Sequence, residues 1–104
     1  MGSPTAVKSA DALRDFRRIY AWIAADSGVA RAEAVLRRLN EVVQRLAKRP
    51  RLGRRRFDFQ DDPYSFSAPP WVIVYEPLPD SGGILILRIL DNRRDIAALL
   101  GKKT

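Results

Sequence analysis

The sequence predicts an α+β fold: an N-terminal helix hairpin packed on a small antiparallel sheet, with a short C-terminal helix. Three observations predict it. Apolar residues recur at three- and four-residue steps through the first half, in two runs parted by Asp26-Ser27-Gly28. Beyond Pro50 the apolar period drops to two. The elements also come in blocks, helices first and strands after, which argues against an alternating parallel fold.

Each element has a local reason. Residues 4–9 suit an edge strand or a loose arm. Ser9 can cap the first helix, with Asp11 in its first turn. Leu13, Phe16, Ile19, Tyr20 and Ile23 form its apolar face. Asp26-Ser27-Gly28 ends it, and Ser27 can cap the next helix. Ala32, Val35, Leu36, Leu39, Val42, Val43 and Leu46 share one side of that second helix, which Pro50 stops near Lys48 or Arg49. So short a turn leaves the two helices antiparallel. Phe57 and Phe59 alternate with Arg56, Asp58 and Gln60 as a half-buried strand. Asp61-Asp62-Pro63 is a turn. Tyr64, Phe66 and Ala68 alternate with Ser65 and Ser67 as a second strand, which Pro69-Pro70 closes. Residues 71–76 and 84–90 read as two apolar strands around a Gly82-Gly83 turn, the last apolar enough to lie inside the sheet. Ile96, Leu99 and Leu100 suggest the final helix, stopped by Gly101.

Composition bounds the chemistry. A chain of 104 residues suits one domain, 1–104, with one core. With no cysteine, disulfides and thiolate nucleophiles are excluded; with no histidine, the usual general base near neutral pH is missing. No apolar run is long enough to span a membrane and no leader pattern is legible, so a cytoplasmic protein is expected. The formal charge is +7, and 15 of the 19 basic residues are arginine. Arginine's flat, permanently charged fork suits phosphate and carboxylate, so nucleic acid or an acidic protein is the expected kind of partner.

The arginines cluster twice. Residues 48–56 hold Lys48, Arg49, Arg51, Arg54, Arg55 and Arg56. Lys48 and Arg49 complement a helix C-terminus, but three consecutive arginines repel one another unless a partner neutralises them. Arg88, Arg93 and Arg94 form the second cluster. Arg88 interrupts an apolar strand, so it must either face a cleft or pair internally, with Asp91, Asp95 or Glu76 as candidates. Trp71 and Tyr75 could stack bases, although aromatics in an apolar strand are usually core.

These stretches resemble a known family. Ala12-Leu13-Arg14-Asp15-Phe16 with Ile19, Tyr20 and Ile23 is similar to the first helix of the ParE/RelE superfamily of bacterial toxins. Leu46-Ala47-Lys48-Arg49-Pro50-Arg51-Leu52-Gly53 resembles the helix ending of its ParE branch. Val72-Ile73-Val74-Tyr75-Glu76 and Ile86-Leu87-Arg88-Ile89-Leu90-Asp91-Asn92-Arg93-Arg94-Asp95 resemble its last two strands, with Asp91 where the family often has His. The resemblance implies a toxin of a type II toxin–antitoxin pair, partnered by an antitoxin whose acidic segment orders on binding. It implies two activities. RelE-like members cut messenger RNA on the ribosome; ParE-like members block DNA gyrase. The nuclease branch's strand arginine falls on Val72 and its C-terminal tyrosine near Leu99, with only Arg93 matching a phosphate-binding arginine. The expectation is therefore a ParE-like gyrase inhibitor with no catalytic residue, metal or cofactor. A RelE-like endoribonuclease and a degenerate, non-toxic antitoxin-binding protein are the alternatives. Arg88, Arg93, Arg94, Arg54, Arg55 and Arg56 are the candidate contacts for gyrase or nucleic acid, and Trp71, Tyr75, Arg49 and Arg51 those for antitoxin.

Overall fold

The fold is a computed structural model that describes residues 4–93. Strand β1 (Thr5–Lys8) leads into helices α1 (Ala10–Ser27) and α2 (Val29–Lys48), and then come β2 (Arg54–Arg55), β3 (Tyr64–Ala68), β4 (Trp71–Pro77) and β5 (Gly83–Asp91). The strands form one sheet in the order β1-β5-β4-β3-β2. The hairpin packs on one face, where Phe16, Ile19, Ile23, Leu39, Val43 and Leu46 meet Ile73, Tyr75, Ile84, Ile86 and Ile89. The C-terminal helix expected at residues 96–100 lies outside the described residues.

The helices follow their sequence signals closely. Ser9 caps α1, its hydroxyl accepting from the Ala12 N–H at 3.0 Å. Ala12 is enclosed, whereas Leu13 is 39% exposed, so the buried stripe is turned slightly from the expected face. The expected Ser27 cap is corrected. Gly28, at φ 94, both ends α1 and starts α2, while the Ser27 hydroxyl donates to Asp26. Only glycine takes that backbone conformation cheaply, so the break falls one residue later.

Two features of the sheet differ from the sequence reading. Residues 4–9 do supply a strand, but β1 runs parallel to β5, pairing Thr5 with Gly83 and Lys8 with Ile86, and the sheet is mixed. This makes β5 an interior strand. The expected strand at Phe57–Phe59 is instead a pair of turns, closed by N–H bonds from Phe59 to the Arg56 carbonyl and from Asp62 to that of Phe59. A strand would place Phe57 and Phe59 on the same face; here Phe59 is buried and Phe57 is 63% exposed. The actual edge strand is the short Arg54–Arg55, antiparallel to β3. Asp61 and Asp62 take positive φ in the expected turn.

Tyr75 ties the sheet to the chain that leaves α2. Its ring has no exposed surface, and its hydroxyl accepts from the Gly53 N–H at 2.9 Å. A Cβ on Gly53 would come within 2.7 Å of the Ser65 carbonyl, so the close approach requires glycine. Burial raises the Tyr75 phenol above its ordinary value of 10.0, outweighing the Gly53 bond, which lowers it. A raised folded value means that the folded state holds this proton more tightly than the unfolded chain. The contribution is thus intact below the ordinary phenol range and is lost as pH climbs through the folded value. Tyr75→Phe is expected to cost about 1 kcal/mol in urea unfolding at neutral pH. It should also reduce the alkaline loss of stability; an unchanged alkaline limb contradicts the assignment.

Candidate functional site

The carboxylate that answers Arg88 comes from α1. Where β1 ends at Lys8, the edge of β5 would be left without partners. The Ser9 N–H donates to the Ile86 carbonyl and its hydroxyl to that of Leu87, each at 3.0 Å. Asp15 continues the series, its Oδ2 accepting from the Ile89 N–H at 2.9 Å. The same carboxylate takes a two-pronged contact from Arg88, Nε to Oδ2 at 2.7 Å and Nη2 to Oδ1 at 3.1 Å. Asp15 is 2% exposed, and Arg18 approaches it at 3.7 Å. The bond to Asp15 raises the Arg88 guanidinium above its ordinary value. Arg88 is thus an internal ion pair across 73 positions of sequence, and its partner is none of the three nearer acids considered. Its side chain is 21% exposed and is directed to Asp15.

Arg93 is held differently. Asp91 accepts from its backbone N–H at 2.9 Å, its Nε at 3.0 Å and its Nη2 at 2.7 Å. The Asn92 N–H donates to the Pro70 carbonyl at 2.9 Å, so this corner is fixed to the β3–β4 turn. The Arg93 side chain remains 82% exposed. Asp91 therefore orients an outward-facing guanidinium. Arg94 and Leu99 lie outside the described residues.

Trp71, Pro70 and Trp22 link two clefts. One, of about 600 Å³, runs past Ile19 and Ile89 to Arg18 and Arg93. The other, of about 260 Å³, runs past Ile23 and Leu39 to Arg31 and Arg38. Together they make a largely apolar trough whose lining includes these four arginines and, in the first cleft, Asp15 and Asp91. Trp22, 63% exposed, was missed in reading the sequence. The available signal was a tryptophan one position off the buried stripe of α1, since so large an apolar ring on a solvated helix face marks contact surface.

The other basic residues lie elsewhere. The register aligns Arg54, Ser65, Val74 and Arg88 in one row across four strands, so three strand spacings, about 14 Å of backbone, separate Arg54 from Arg88. Arg93 lies beyond the Trp71–Asp91 pair, past the end of that row. Arg56 is committed internally, donating to both Asp58 oxygens and lying 4.1 Å from the centre of the Phe59 ring. Its hydrogen bond lowers the Asp58 carboxyl below its ordinary value. Arg54 and Arg55 are exposed on β2. Arg49 and Arg51 border a separate cleft with Leu52, Pro77 and Leu78. The four residues expected to meet an antitoxin are therefore not brought together: Trp71 lies in the trough, the two arginines elsewhere, and Tyr75 in the core with no surface to offer. Among the described residues no group of acids could hold a metal ion, and no helix is long and apolar enough to cross a membrane.

Comparison with known proteins agrees with this architecture. The family model of the ParE toxin of the type II toxin–antitoxin system, parDE, matches residues 7–96. The curated Toxin ParE3 of Caulobacter vibrioides is 41% identical over 90 residues, covering 86% of this chain and 88% of that protein. A solved structure described as the chromosomal ParDE TA system from P. aeruginosa has the same fold, with a TM-score of 0.71 over 86% of this chain and 96% of that one. At 19% identity, that likeness concerns the fold alone. The chain belongs to the ParE toxin family of type II toxin–antitoxin systems.

Proposed function

We propose that the protein inhibits DNA gyrase by binding it, and that an acidic segment of a cognate antitoxin neutralises it by occupying the Trp22–Trp71 trough. The observation that carries this reading is the trough's composition: a largely apolar lining with Arg18, Arg93, Arg31 and Arg38, in which the two acids, Asp15 and Asp91, are already bound by Arg88 and Arg93. That surface complements an amphipathic acidic segment. It offers no histidine for proton transfer, and Val72 stands where the nuclease branch has an arginine. Arg93, held outward by Asp91, is the principal gyrase contact, with Arg54 and Arg55 as a secondary surface; Arg88 supports the corner through Asp15.

A supercoiling assay with purified gyrase tests the proposal. Micromolar protein is expected to stop supercoiling, and unchanged supercoiling contradicts it. For the antitoxin, Trp22→Ala is expected to weaken binding by about 2 kcal/mol, roughly thirtyfold, measured by calorimetry. Because Trp22 is exposed, its loss should leave the fold intact. Equal affinity for the variant would place the antitoxin on another surface.

A further inference from the structure

Arg55 lies between Tyr64 and Phe57 in a column of flat groups that begins in the core. Tyr75 stacks on Tyr64 with ring centres 5.6 Å apart and planes inclined by 28°. The Arg55 guanidinium carbon lies 5.7 Å from the centre of the Tyr64 ring and 5.1 Å from that of Phe57. Phe57 closes the column and is 63% exposed. Two rings thus orient the Arg55 fork, whose N–H groups find no carboxylate among the described residues. Arg54, Arg51 and Arg49 are exposed nearby in sequence and have no ion-pair partner among the described residues; Asp58 is occupied by Arg56, and Asp80 lines the cleft that Arg49 and Arg51 border.

The chemistry of this corner is specific. A stretch of cations calls for a polyanion. An exposed ring beside an oriented guanidinium calls for a flat partner. A purely acidic peptide answers the first demand and leaves the ring unused. A nucleic-acid duplex hides the faces of its bases. An unpaired strand supplies both repeated phosphates and open base faces.

We propose that the β2 corner binds single-stranded nucleic acid, with a base stacked on Phe57 and the adjoining phosphates held by Arg54, Arg55, Arg51 and Arg49. This site is distinct from the trough; it shares Arg54 and Arg55 with the proposed secondary gyrase surface, and its test requires no gyrase.

Fluorescence anisotropy with a labelled oligothymidylate of about 15 nucleotides tests it, using the full chain between about 50 and 200 mM salt. Three or four phosphate contacts are expected to give a slope of log affinity against log salt of about −2 to −3. Phe57→Ala should lower the affinity about tenfold and leave that slope unchanged, because it removes stacking and no charge. Arg51→Ala with Arg54→Ala should flatten the slope by about 1.4. These residues are exposed, so circular dichroism is expected to show intact variants. The proposal is overturned if Phe57→Ala binds as wild type does, if a duplex of equal length binds as tightly as the single strand, or if polyglutamate of equal charge competes as well as unlabelled oligothymidylate.

Discussion

Replacing Asp15 with alanine is expected to remove about 3–5 kcal/mol of stability, a large part of the 5–15 kcal/mol that holds a domain of this size. The loss has two sources. Arg88, four-fifths buried, keeps its charge and loses the carboxylate that answered it. The Ile89 N–H, buried on the edge of β5 past the end of β1, loses its acceptor. Removing Arg88 should cost less, because Asp15 would keep the Ile89 N–H and the approach of Arg18 at 3.7 Å. This asymmetry distinguishes an anchoring carboxylate from a simple attractive pair. Replacing both residues with apolar ones of similar size should recover part of the loss, since the desolvation of both charges disappears. Urea unfolding of the two single variants and the double variant measures all three. A cost for Asp15→Ala below about 1 kcal/mol, within the range of a surface ion pair, contradicts the account.

The second large effect is expected at Gly83, where φ is 117. An added Cβ would collide with the Thr5 carbonyl oxygen and come within 2.6 Å of the Thr5 nitrogen. Both neighbours are backbone, so neither can turn aside as a side chain could. Gly83→Ala must either strain β5 or expel β1, and with β1 goes the parallel ladder from Thr5 to Lys8. The expected cost is about 2–4 kcal/mol. Hydrogen exchange at the amides of Thr5 and Ser9, which bond to Gly82 and Ile86, should accelerate before exchange elsewhere in the sheet. Gly82→Ala is the control. Its φ is −75 and its nearest neighbour would lie 3.4 Å away, so its cost should stay within about 0.5–1 kcal/mol. Similar effects from the two substitutions would refute the close-approach argument.

The elements legible in the sequence were those whose signal is local. The helix hairpin announces itself through periodicity and Ser9, β3 through alternation, and β4 and β5 through apolar runs around turn residues. What escaped depends on distant partners. β1 has only four residues, of which only Ala6 is even partly buried, so no alternation marks it; its pairing spans almost the whole chain. At residues 57–59 two aromatics spaced by two imitated the alternation of a strand, but the turns that close there put one inside and the other outside. The arginines were visible but their partners were not. Yet Asp15 sits on the buried stripe with Ala12, Phe16 and Ile19, and Arg88 is the cation inside an apolar strand. An acid on an apolar helix face and a base in an apolar strand each need a buried counter-charge, so their pairing could have been inferred. Trp22 and Phe57 are exposed aromatics with little local signal to mark them as surface: Trp22 stands only one position off the buried stripe of α1, and Phe57 sits in an apparent strand alternation.

Stoichiometry tests the central claim most directly, because a protein that only binds its target cannot act on more copies than it can occupy. Gyrase at fixed concentration should be titrated with the protein and residual supercoiling measured, alongside Arg93→Glu. The account predicts that full inhibition requires at least one equivalent of protein, that excess antitoxin reverses it, and that the charge reversal raises the required concentration about tenfold or more. Inhibition by a small fraction of an equivalent, or persisting after the antitoxin is added, would show turnover or covalent damage and contradict it.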